Sequence, residues 1–88
     1  LEELLSDSQV EIVLNLSIHH AHYETTLQCL HAGKHVHSEK PLALNSADAF
    51  ELVRVANERG LRLGSSPFSW MSPANQALWE VVRSGRLG

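Results

Sequence analysis

The stretch Val10-Glu11-Ile12-Val13-Leu14-Asn15-Leu16 decides the fold. Its residues are mostly β-branched or apolar, and they lack the strict alternation of a strand with one solvated face. Such a run is typical of a strand that is buried on both faces of a parallel sheet. Two further short strands are predicted over residues 34–38 and 61–65, and the second of them follows a helix stop and precedes Pro67.

Helical patterns lie between these strands. The first helix is predicted to begin at Ala21 and to end near Gly33, which suits the left-handed position after a helix. Tyr23, Leu27 and Leu30 fall at i, i+4 and i+7 and form its predicted buried face.

The second helix is predicted to begin at Asn45 or Ser46, since either residue type is favoured as an N-cap. Gly60 is predicted to end this helix. Its predicted apolar stripe consists of Phe50, Val53 and Ala56, with Leu52 beside it.

A third helix follows the last strand. Ser72 is a favoured N-cap, Pro73 is favoured at the first helical position, and Gly85 ends the pattern. The apolar spacing is the strongest in the chain, at i, i+3, i+4, i+7 and i+8. It is formed by Ala74, Ala77, Leu78, Val81 and Val82.

The order strand, helix, strand, helix, strand, helix predicts an α/β fold with a parallel sheet and right-handed crossovers, a partial Rossmann-like unit. The carboxyl ends of parallel strands share one edge, where ligands of open α/β sheets bind. Three loops leave that edge, over residues 17–20, 39–41 and 67–70. They carry two histidines, an acid–base pair and two aromatic residues, and this convergence predicts a site.

The middle loop lies within His37-Ser38-Glu39-Lys40-Pro41-Leu42, which places an acid, a base and a proline in consecutive positions. A Lys-Pro bond in such a turn is able to be cis, because proline reduces the trans preference to about 0.5–1 kcal/mol. The competing interpretation is a solvated surface turn, since neighbouring Glu and Lys are common there.

The composition restricts the function classes. With 88 residues the chain suits one small domain, and its 43% apolar and 19% charged residues are typical of a soluble globular protein. A net charge of −3 without a basic cluster argues against nucleic acid as a partner. No apolar run approaches the ~20 residues needed to span a bilayer, and no signal peptide is visible. We therefore predict neither a nucleic-acid nor a membrane partner.

The single cysteine, Cys29, excludes an internal disulfide framework and fits a reducing compartment, so a cytoplasmic location is predicted. Its position within a helix favours a small buried or half-buried thiol over a nucleophile. The first residue is Leu1 rather than Met, which favours a piece of a longer protein, or its ordered part.

Six histidines raise the question of a metal site. Spacing pairs His19 with His22 and His35 with His37, but neither an HExxH nor a CxxC motif occurs, so no metal is predicted. Trp79 is predicted to serve packing or an interface, whereas Trp70 remains open between packing and ligand stacking. No GxGxxG loop occurs, and the chain has no recognisable pyrophosphate site.

From Val10 to Gly88 the chain resembles the second, C-terminal half of the nucleotide-binding domain of the glucose–fructose oxidoreductase / inositol dehydrogenase / MocA family (Gfo/Idh/MocA). The run Ala32-Gly33-Lys34-His35-Val36-His37-Ser38-Glu39-Lys40-Pro41-Leu42-Ala43 is the most specific part of the resemblance. The other matching parts are Ile12-Val13-Leu14-Asn15-Leu16-Ser17, His22 and Ser84-Gly85-Arg86-Leu87-Gly88.

The resemblance implies an oxidoreductase that transfers hydride between NAD or NADP and a sugar- or polyol-like small molecule. Glu39 and Lys40 would form the family's EKP motif beside the nicotinamide. Lys40 would be catalytic, orienting the reacting hydroxyl or carbonyl and stabilising developing oxygen charge. Glu39 would contact the cofactor ribose or amide, and Pro41 would be a cis proline that aims the pair.

The resemblance also implies cofactor contacts outside the EKP motif. His22 matches the family's histidine after the fourth strand, while Ser17 and His19 lie where the family's loop passes the nicotinamide ribose. Trp70 is carried over from a looser similarity. The family commonly has prolines, or proline and asparagine, where this chain has Ile18 and His19.

Two functions follow. In the first, residues 1–88 are the second half of an NAD(P)-binding domain, and the parent protein is an enzyme and a homo-oligomer. The 88 residues alone would then be inactive, because the glycine-rich half and a substrate domain are absent from them. In the second, the chain is a truncated, non-catalytic module that acts through self-association or partner binding, because an uncovered sheet edge recruits other chains.

Overall fold

The computed structural model describes residues 1–66, 69 and 71–88 and confirms the α/β class with a parallel sheet. The strands are shorter than the sequence patterns that predicted them. In chain order the elements are α1 (Glu2–Ser6), β1 (Ile12–Asn15), a 3-10 turn (His19–Ala21), α2 (His22–His31), β2 (His35–Ser38), α3 (Ser46–Glu58), β3 (Leu63–Ser65) and α4 (Pro73–Arg83).

The three strands are parallel and lie in the order β1-β2-β3. Val13 is level with Val36, and Ser38 is level with both Asn15 and Ser65. The ladder continues one residue further, because Glu39 N donates to Asn15 O at 2.9 Å. The register therefore brings the first residues after β1 and β2 to one edge of the sheet.

One face of the sheet carries the hydrophobic core, beneath α2 and α3. The side chains of Val13 and Val36 point into this core, which is closed by residues of both helices. The buried apolar residues are Val13, Cys29, Leu30, Val36, Leu52, Val55 and Ala56.

The opposite face of the sheet is open in the described structure. Ile12 is 58% exposed and Leu14 is 63% exposed, whereas Val13 and Asn15 between and after them are buried. The prediction that this strand is buried on both faces is therefore wrong for this structure. An apolar run of this kind shows that a strand can be covered on both sides, but the cover itself must come from other elements.

The predicted buried face of α2 is displaced. The fully buried side chains are His22, Thr26, Cys29 and Leu30, while Tyr23 and Leu27 are only half-buried at the border of the core. Apolar periodicity alone misplaced this face. Two of the residues that are buried in the structure, His22 and Thr26, are polar and find hydrogen-bond partners inside the fold.

The start of α3 is as predicted, and its predicted apolar stripe is confirmed for Leu52 and Ala56 but wrong for Phe50 and Val53. The Asn45 side chain accepts a hydrogen bond from Asp48 N and caps the helix. Leu52, Val55 and Ala56 are buried, whereas Phe50 is 74% exposed and Val53 is also exposed. The helix is apolar on more than one side, so two stripes compete, and packing against the sheet selects the one that contains Leu52.

The last helix, α4, begins as predicted. Ser72 accepts a hydrogen bond from Asn75 N, Pro73 occupies the first turn, and Gly85 after the helix has φ 75°. None of its residues is buried. Trp79 is exposed and lies under the Arg83 guanidinium, 4.9 Å from the ring centroid. The apolar stripe of α4 is therefore open in the described structure, and the packing or interface role of Trp79 stays a prediction.

At the amino edge of the sheet, Lys34 is only 7% exposed. Its ammonium donates to the backbone oxygen of Asp7 at 2.7 Å, which joins the turn after α1 to the residue before β2. None of the described helices has the length and hydropathy that a membrane crossing requires.

Candidate functional site

The loop after β1 is held by Asn15, a polar residue in an apolar strand. Asn15 is 3% exposed, and its Nδ2 donates to His22 O at 3.1 Å and to Thr26 Oγ1 at 2.9 Å. Its Oδ1 accepts from Ser17 N at 3.2 Å and from Ser17 Oγ at 2.6 Å. Sequence reasoning missed this residue as part of the site. The available signal was an amide in a buried strand, which must find partners.

The His22 side chain joins the first loop to the second. It is 1% exposed, its Nδ1 lies 2.6 Å from Pro41 O, and its Nε2 lies 2.8 Å from Ser17 O. Both ring nitrogens are therefore occupied by backbone oxygens. The structure places His22 inside the wall of the edge, beneath the surface that a ligand would meet.

The turn after β2 presents the acid–base pair at the same edge. Glu39 is half-buried and its N–H is bonded to Asn15 O, whereas the Lys40 side chain is exposed. The Lys40-Pro41 peptide bond is cis, as the sequence suggested. Glu39 and Lys40 thus lie next to the first loop and not at the opposite end of the sheet.

Ser17 and His19 are exposed on the first loop. An open cleft of ≈ 380 Å³ is lined by Ser17, Ile18, His19 and His20. The ring centroids of His19 and His22 are 5.8 Å apart. The cleft therefore offers the Ser17 hydroxyl and the imidazoles of His19 and His20 at the carboxyl end of β1.

The third loop begins at this edge as well, because Ser66 N donates to Ser38 O at 3.1 Å. Ser66 Oγ lies 2.7 Å from His37 Nε2. Pro67, Phe68 and the predicted cofactor contact Trp70 lie outside the described residues. The predicted meeting of loops is thus seen for the first two and for the start of the third.

Nucleophilic chemistry at the cysteine and metal binding by the histidines are both disfavoured by the surroundings of these side chains. Burial raises the pKa of the Cys29 thiol, which disfavours the nucleophilic thiolate. His35 Nδ1 accepts a hydrogen bond from Arg62 N at 3.0 Å. Within residues 1–66, 69 and 71–88, no three His, Cys, Asp or Glu side chains are grouped as a metal site would need.

Comparison with known proteins identifies the fold and the family. A family model described as an oxidoreductase family with an NAD-binding Rossmann fold, GFO_IDH_MocA, matches residues 1–66. The chain therefore corresponds to the N-terminal region of the proteins in this family, and not to their C-terminal region. Our prediction that the chain is the second half of the nucleotide-binding domain stays a prediction.

Two curated relatives illustrate the similarity. The chain is 39% identical over 87 residues to 1,5-anhydro-D-fructose reductase of Ensifer adhaerens, a match that covers 99% of this chain and 26% of that protein. It is 38% identical over 87 residues to trans-1,2-dihydrobenzene-1,2-diol dehydrogenase of Homo sapiens, with the same coverage. The chain spans about a quarter of the length of these relatives.

Solved structures give the same result. KijD10, a 3-ketoreductase from Actinomadura kijaniata in complex with TDP-benzene and NADP, superposes with a TM-score of 0.87 at 32% identity, covering 96% of this chain and 27% of that one. An NAD binding oxidoreductase from Klebsiella pneumoniae superposes with a TM-score of 0.79 at 34% identity, covering 98% of this chain and 23% of the other.

Proposed function

Because the chain belongs to the Gfo/Idh/MocA oxidoreductase family, with its NAD-binding Rossmann fold, we propose that it contributes the second half of a nicotinamide-cofactor site. The complete enzyme transfers hydride between NAD or NADP and a sugar- or polyol-like substrate. The observation that carries the proposal is the pair of hydrogen bonds between the His22 ring and the backbone oxygens of Ser17 and Pro41. This tie holds the EKP turn beside the loop after β1, at the edge where α/β sheets bind ligands.

The exposed polar groups of this edge fit a nicotinamide riboside. Ser17 and His19 offer a hydroxyl and an imidazole to ribose hydroxyl groups from the open cleft. Glu39, fixed by its backbone bond to Asn15, offers a carboxylate to the ribose or to the carboxamide. Pro41 lines the turn, and we include Trp70 as a stacking residue on the strength of the resemblance alone.

Lys40 is the proposed catalytic residue. The bound nicotinamide supplies or accepts the hydride. The Lys40 ammonium donates a hydrogen bond to the substrate oxygen and stabilises the negative charge that develops on it during the transfer. Its exposed side chain is free to reach a substrate in front of the edge, whereas a buried lysine would first have to move.

The substrate class rests on the relatives' names. They describe a reductase of an anhydro-sugar, a dehydrogenase of a diol and a 3-ketoreductase. All three names indicate a carbonyl or hydroxyl group as the reacting function. We therefore propose a small sugar- or polyol-like substrate for the complete enzyme, which we further propose to be cytoplasmic and homo-oligomeric.

Cofactor titration tests the proposal. NADH and NADPH are titrated separately into the full-length gene product that contains these residues, and the nicotinamide fluorescence is followed. We expect saturable binding of at least one cofactor, and much weaker binding to the isolated 88 residues. Failure of the full-length protein to bind either cofactor would contradict the proposed function.

A second candidate is a non-catalytic module that self-associates. The open face of the sheet supports it, because Ile12, Leu14 and Leu16 are all largely exposed there or just beyond the strand. Exposed apolar surface of this kind marks an interaction site. Sedimentation of the isolated 88 residues is expected to show a concentration-dependent oligomer, and a monodisperse monomer would contradict this candidate.

A further inference from the structure

Asn15 stands at the end of an otherwise apolar strand, and all of its side-chain hydrogen-bonding groups are in use. Its Nδ2 donates to His22 O and to Thr26 Oγ1, while its Oδ1 accepts from the N–H and from the hydroxyl of Ser17. The residue is 3% exposed. A buried amide whose partners are all satisfied is held rigidly in one arrangement.

Two of these partners determine which way the amide points. His22 O is a carbonyl oxygen that only accepts a hydrogen bond, and Ser17 N–H only donates one. The reversed amide would set its oxygen against His22 O and its NH₂ group against Ser17 N–H, which are two unfavourable contacts. The NH₂ group of Asn15 therefore lies toward α2, and its oxygen lies toward the first loop.

This orientation decides the role of the Ser17 hydroxyl. Ser17 Oγ lies 2.6 Å from Asn15 Oδ1, an oxygen without a hydrogen, so the single hydroxyl hydrogen of Ser17 lies between the two atoms. The serine oxygen keeps its two lone pairs as acceptors. Within residues 1–66, 69 and 71–88, no side-chain or backbone group donates to Ser17 Oγ. These lone pairs are therefore available to a ligand in the open cleft that Ser17 lines.

A hydroxyl group that accepts but does not donate distinguishes between ligand groups. A ligand hydroxyl or N–H group gives it a hydrogen bond, whereas a phosphate, carboxylate or carbonyl oxygen sets lone pair against lone pair. A serine without an internal partner would rotate its hydroxyl hydrogen to suit either kind of group. The cleft therefore favours a hydroxyl-bearing part of a ligand at Ser17 over an anionic part.

We propose that Asn15 is a positioning residue that engages the Ser17 hydrogen and so makes Ser17 a pure hydrogen-bond acceptor for a ligand hydroxyl group. The assignment of that hydroxyl to the nicotinamide ribose rests on the proposed function, but the orientation of Asn15 does not. Asn15 is buried and touches no ligand itself. It acts through the hydroxyl group that it holds.

Neutron diffraction tests the orientation directly, with deuterium-exchanged crystals of the full-length gene product grown without cofactor. We expect the Ser17 hydroxyl deuteron between Oγ and Asn15 Oδ1, and both amide deuterons of Asn15 on the side of α2. A Ser17 deuteron that points into the cleft would overturn the proposal, whatever the protein binds.

Cofactor analogues test the acceptor role in solution. In two analogues of the preferred reduced cofactor, fluorine replaces the 2′ or the 3′ hydroxyl group of the nicotinamide ribose and leaves no hydrogen to donate. We expect the Kd of at least one analogue to exceed that of the parent cofactor about 2- to 10-fold, the effect of one lost hydrogen bond. Ser17→Ala should remove this difference. Equal Kd values for the wild-type protein, or a difference that persists in Ser17→Ala, would contradict the acceptor role.

Asn15→Leu, a substitution of similar shape, tests the positioning role. Without the amide oxygen, the Ser17 hydroxyl is free to donate, so it discriminates less between a ligand hydroxyl and fluorine. We expect the ratio of the analogue Kd to the parent Kd to fall toward one. A loop that is merely loosened would raise both Kd values together, so an unchanged ratio would contradict the role of Asn15.

Asn57→Leu is the matched control, because Asn57 is exposed in α3, and it is expected to leave both Kd values unchanged. The neutron experiment uses the wild-type protein, so it decides the orientation even where Asn15→Leu does not fold. Failure of the wild-type protein to bind either NADH or NADPH would instead contradict the proposed function, and the deuteron positions would still decide the orientation of Asn15.

Discussion

Lys40 and Arg59 are positively charged residues with side chains of similar length, and they lie at opposite edges of the sheet. Lys40 is exposed after β2, whereas the Arg59 guanidinium donates to His31 O at the end of α3. In the full-length gene product, Lys40→Ala is expected to lower kcat about 100- to 1000-fold, the effect of removing one donor to a developing oxyanion. The measurement is steady-state kinetics, and Arg59→Ala should leave kcat within about twofold of wild type.

The Tyr23 phenol donates to Glu51 Oε2 at 2.7 Å, which links α2 to α3. This hydrogen bond, followed by partial burial and by the negative charges of Glu51, Asp48 and Glu24, raises the pKa of Tyr23 above its usual value. The contact therefore stabilises the fold below about pH 10 and loses that effect as the pH rises through the raised pKa.

Tyr23 is the single tyrosine of the chain, so tyrosinate absorbance reports on it alone. We expect the titration midpoint to lie above about 10 in the wild-type protein and to move down toward that value in Glu51→Gln. Glu58→Gln is the control, because Glu58 pairs with Arg54 and not with the phenol. A midpoint that does not respond to Glu51→Gln would exclude this carboxylate as the cause.

At the scale of elements, α3 and α4 have equivalent caps but different surroundings. Asn45 accepts from Asp48 N and Ser72 accepts from Asn75 N, yet α3 contributes three residues to the core and α4 has no buried residue. We expect Asn45→Ala to lower the free energy of unfolding by about 1 kcal/mol. Ser72→Ala should leave it unchanged and only reduce amide-exchange protection within α4.

Urea denaturation of the 88-residue chain measures the first effect, and hydrogen exchange measures the second. Asn57→Ala, an exposed position inside α3, is the matched control for Asn45→Ala. A loss of global stability in Ser72→Ala equal to that in Asn45→Ala would show that α4 is coupled to the core.

The three strands and the helices α2, α3 and α4 could be predicted because their signals are local, whereas the short helix α1 was not predicted. Asn45 and Ser72 indicate helix starts, because their side chains cap the first turn. Gly60 and Gly85 indicate helix ends, because glycine readily adopts the positive φ found there. The buried faces could not be predicted as well. Phe50 and Leu52 are both apolar, and only the position of the sheet decides which of them is covered.

The site could be predicted at the level of loops but not of interactions. Parallel topology brings the turn with Glu39 and Lys40 beside the loop with Ser17, and the register confirms this neighbourhood. The roles of Asn15 and His22 inside the wall could not be predicted, because hydrogen bonds between residues 19 apart in sequence depend on the packed fold. The cofactor and substrate roles of the exposed residues stay predictions.

At the scale of the whole molecule, the two faces of β1 have opposite surroundings. Val13 lies in the core, whereas Leu14 lies on the open face. Val13→Asp is expected to destabilise the fold by more than about 4 kcal/mol, because it places a charge among apolar side chains. Leu14→Asp should change the free energy of unfolding by less than about 0.5 kcal/mol and should weaken self-association of the 88-residue chain.

Urea denaturation and analytical ultracentrifugation check the pair. Equal destabilisation by both substitutions would mean that the open face is covered within a single chain. Undiminished association of Leu14→Asp would place the self-contact elsewhere, for example on the apolar stripe of α4.

The turn after α1 has a consequence for selective labelling. The chain has two lysines, Lys34 and Lys40, and Lys34 is withdrawn from solvent with its ammonium bonded to Asp7 O. Acylating reagents require an accessible, deprotonated amine. Apart from the α-amino group, they should therefore modify the folded chain at Lys40, so that a fluorophore or crosslinker introduced by simple amine chemistry arrives at the proposed site without any mutagenesis.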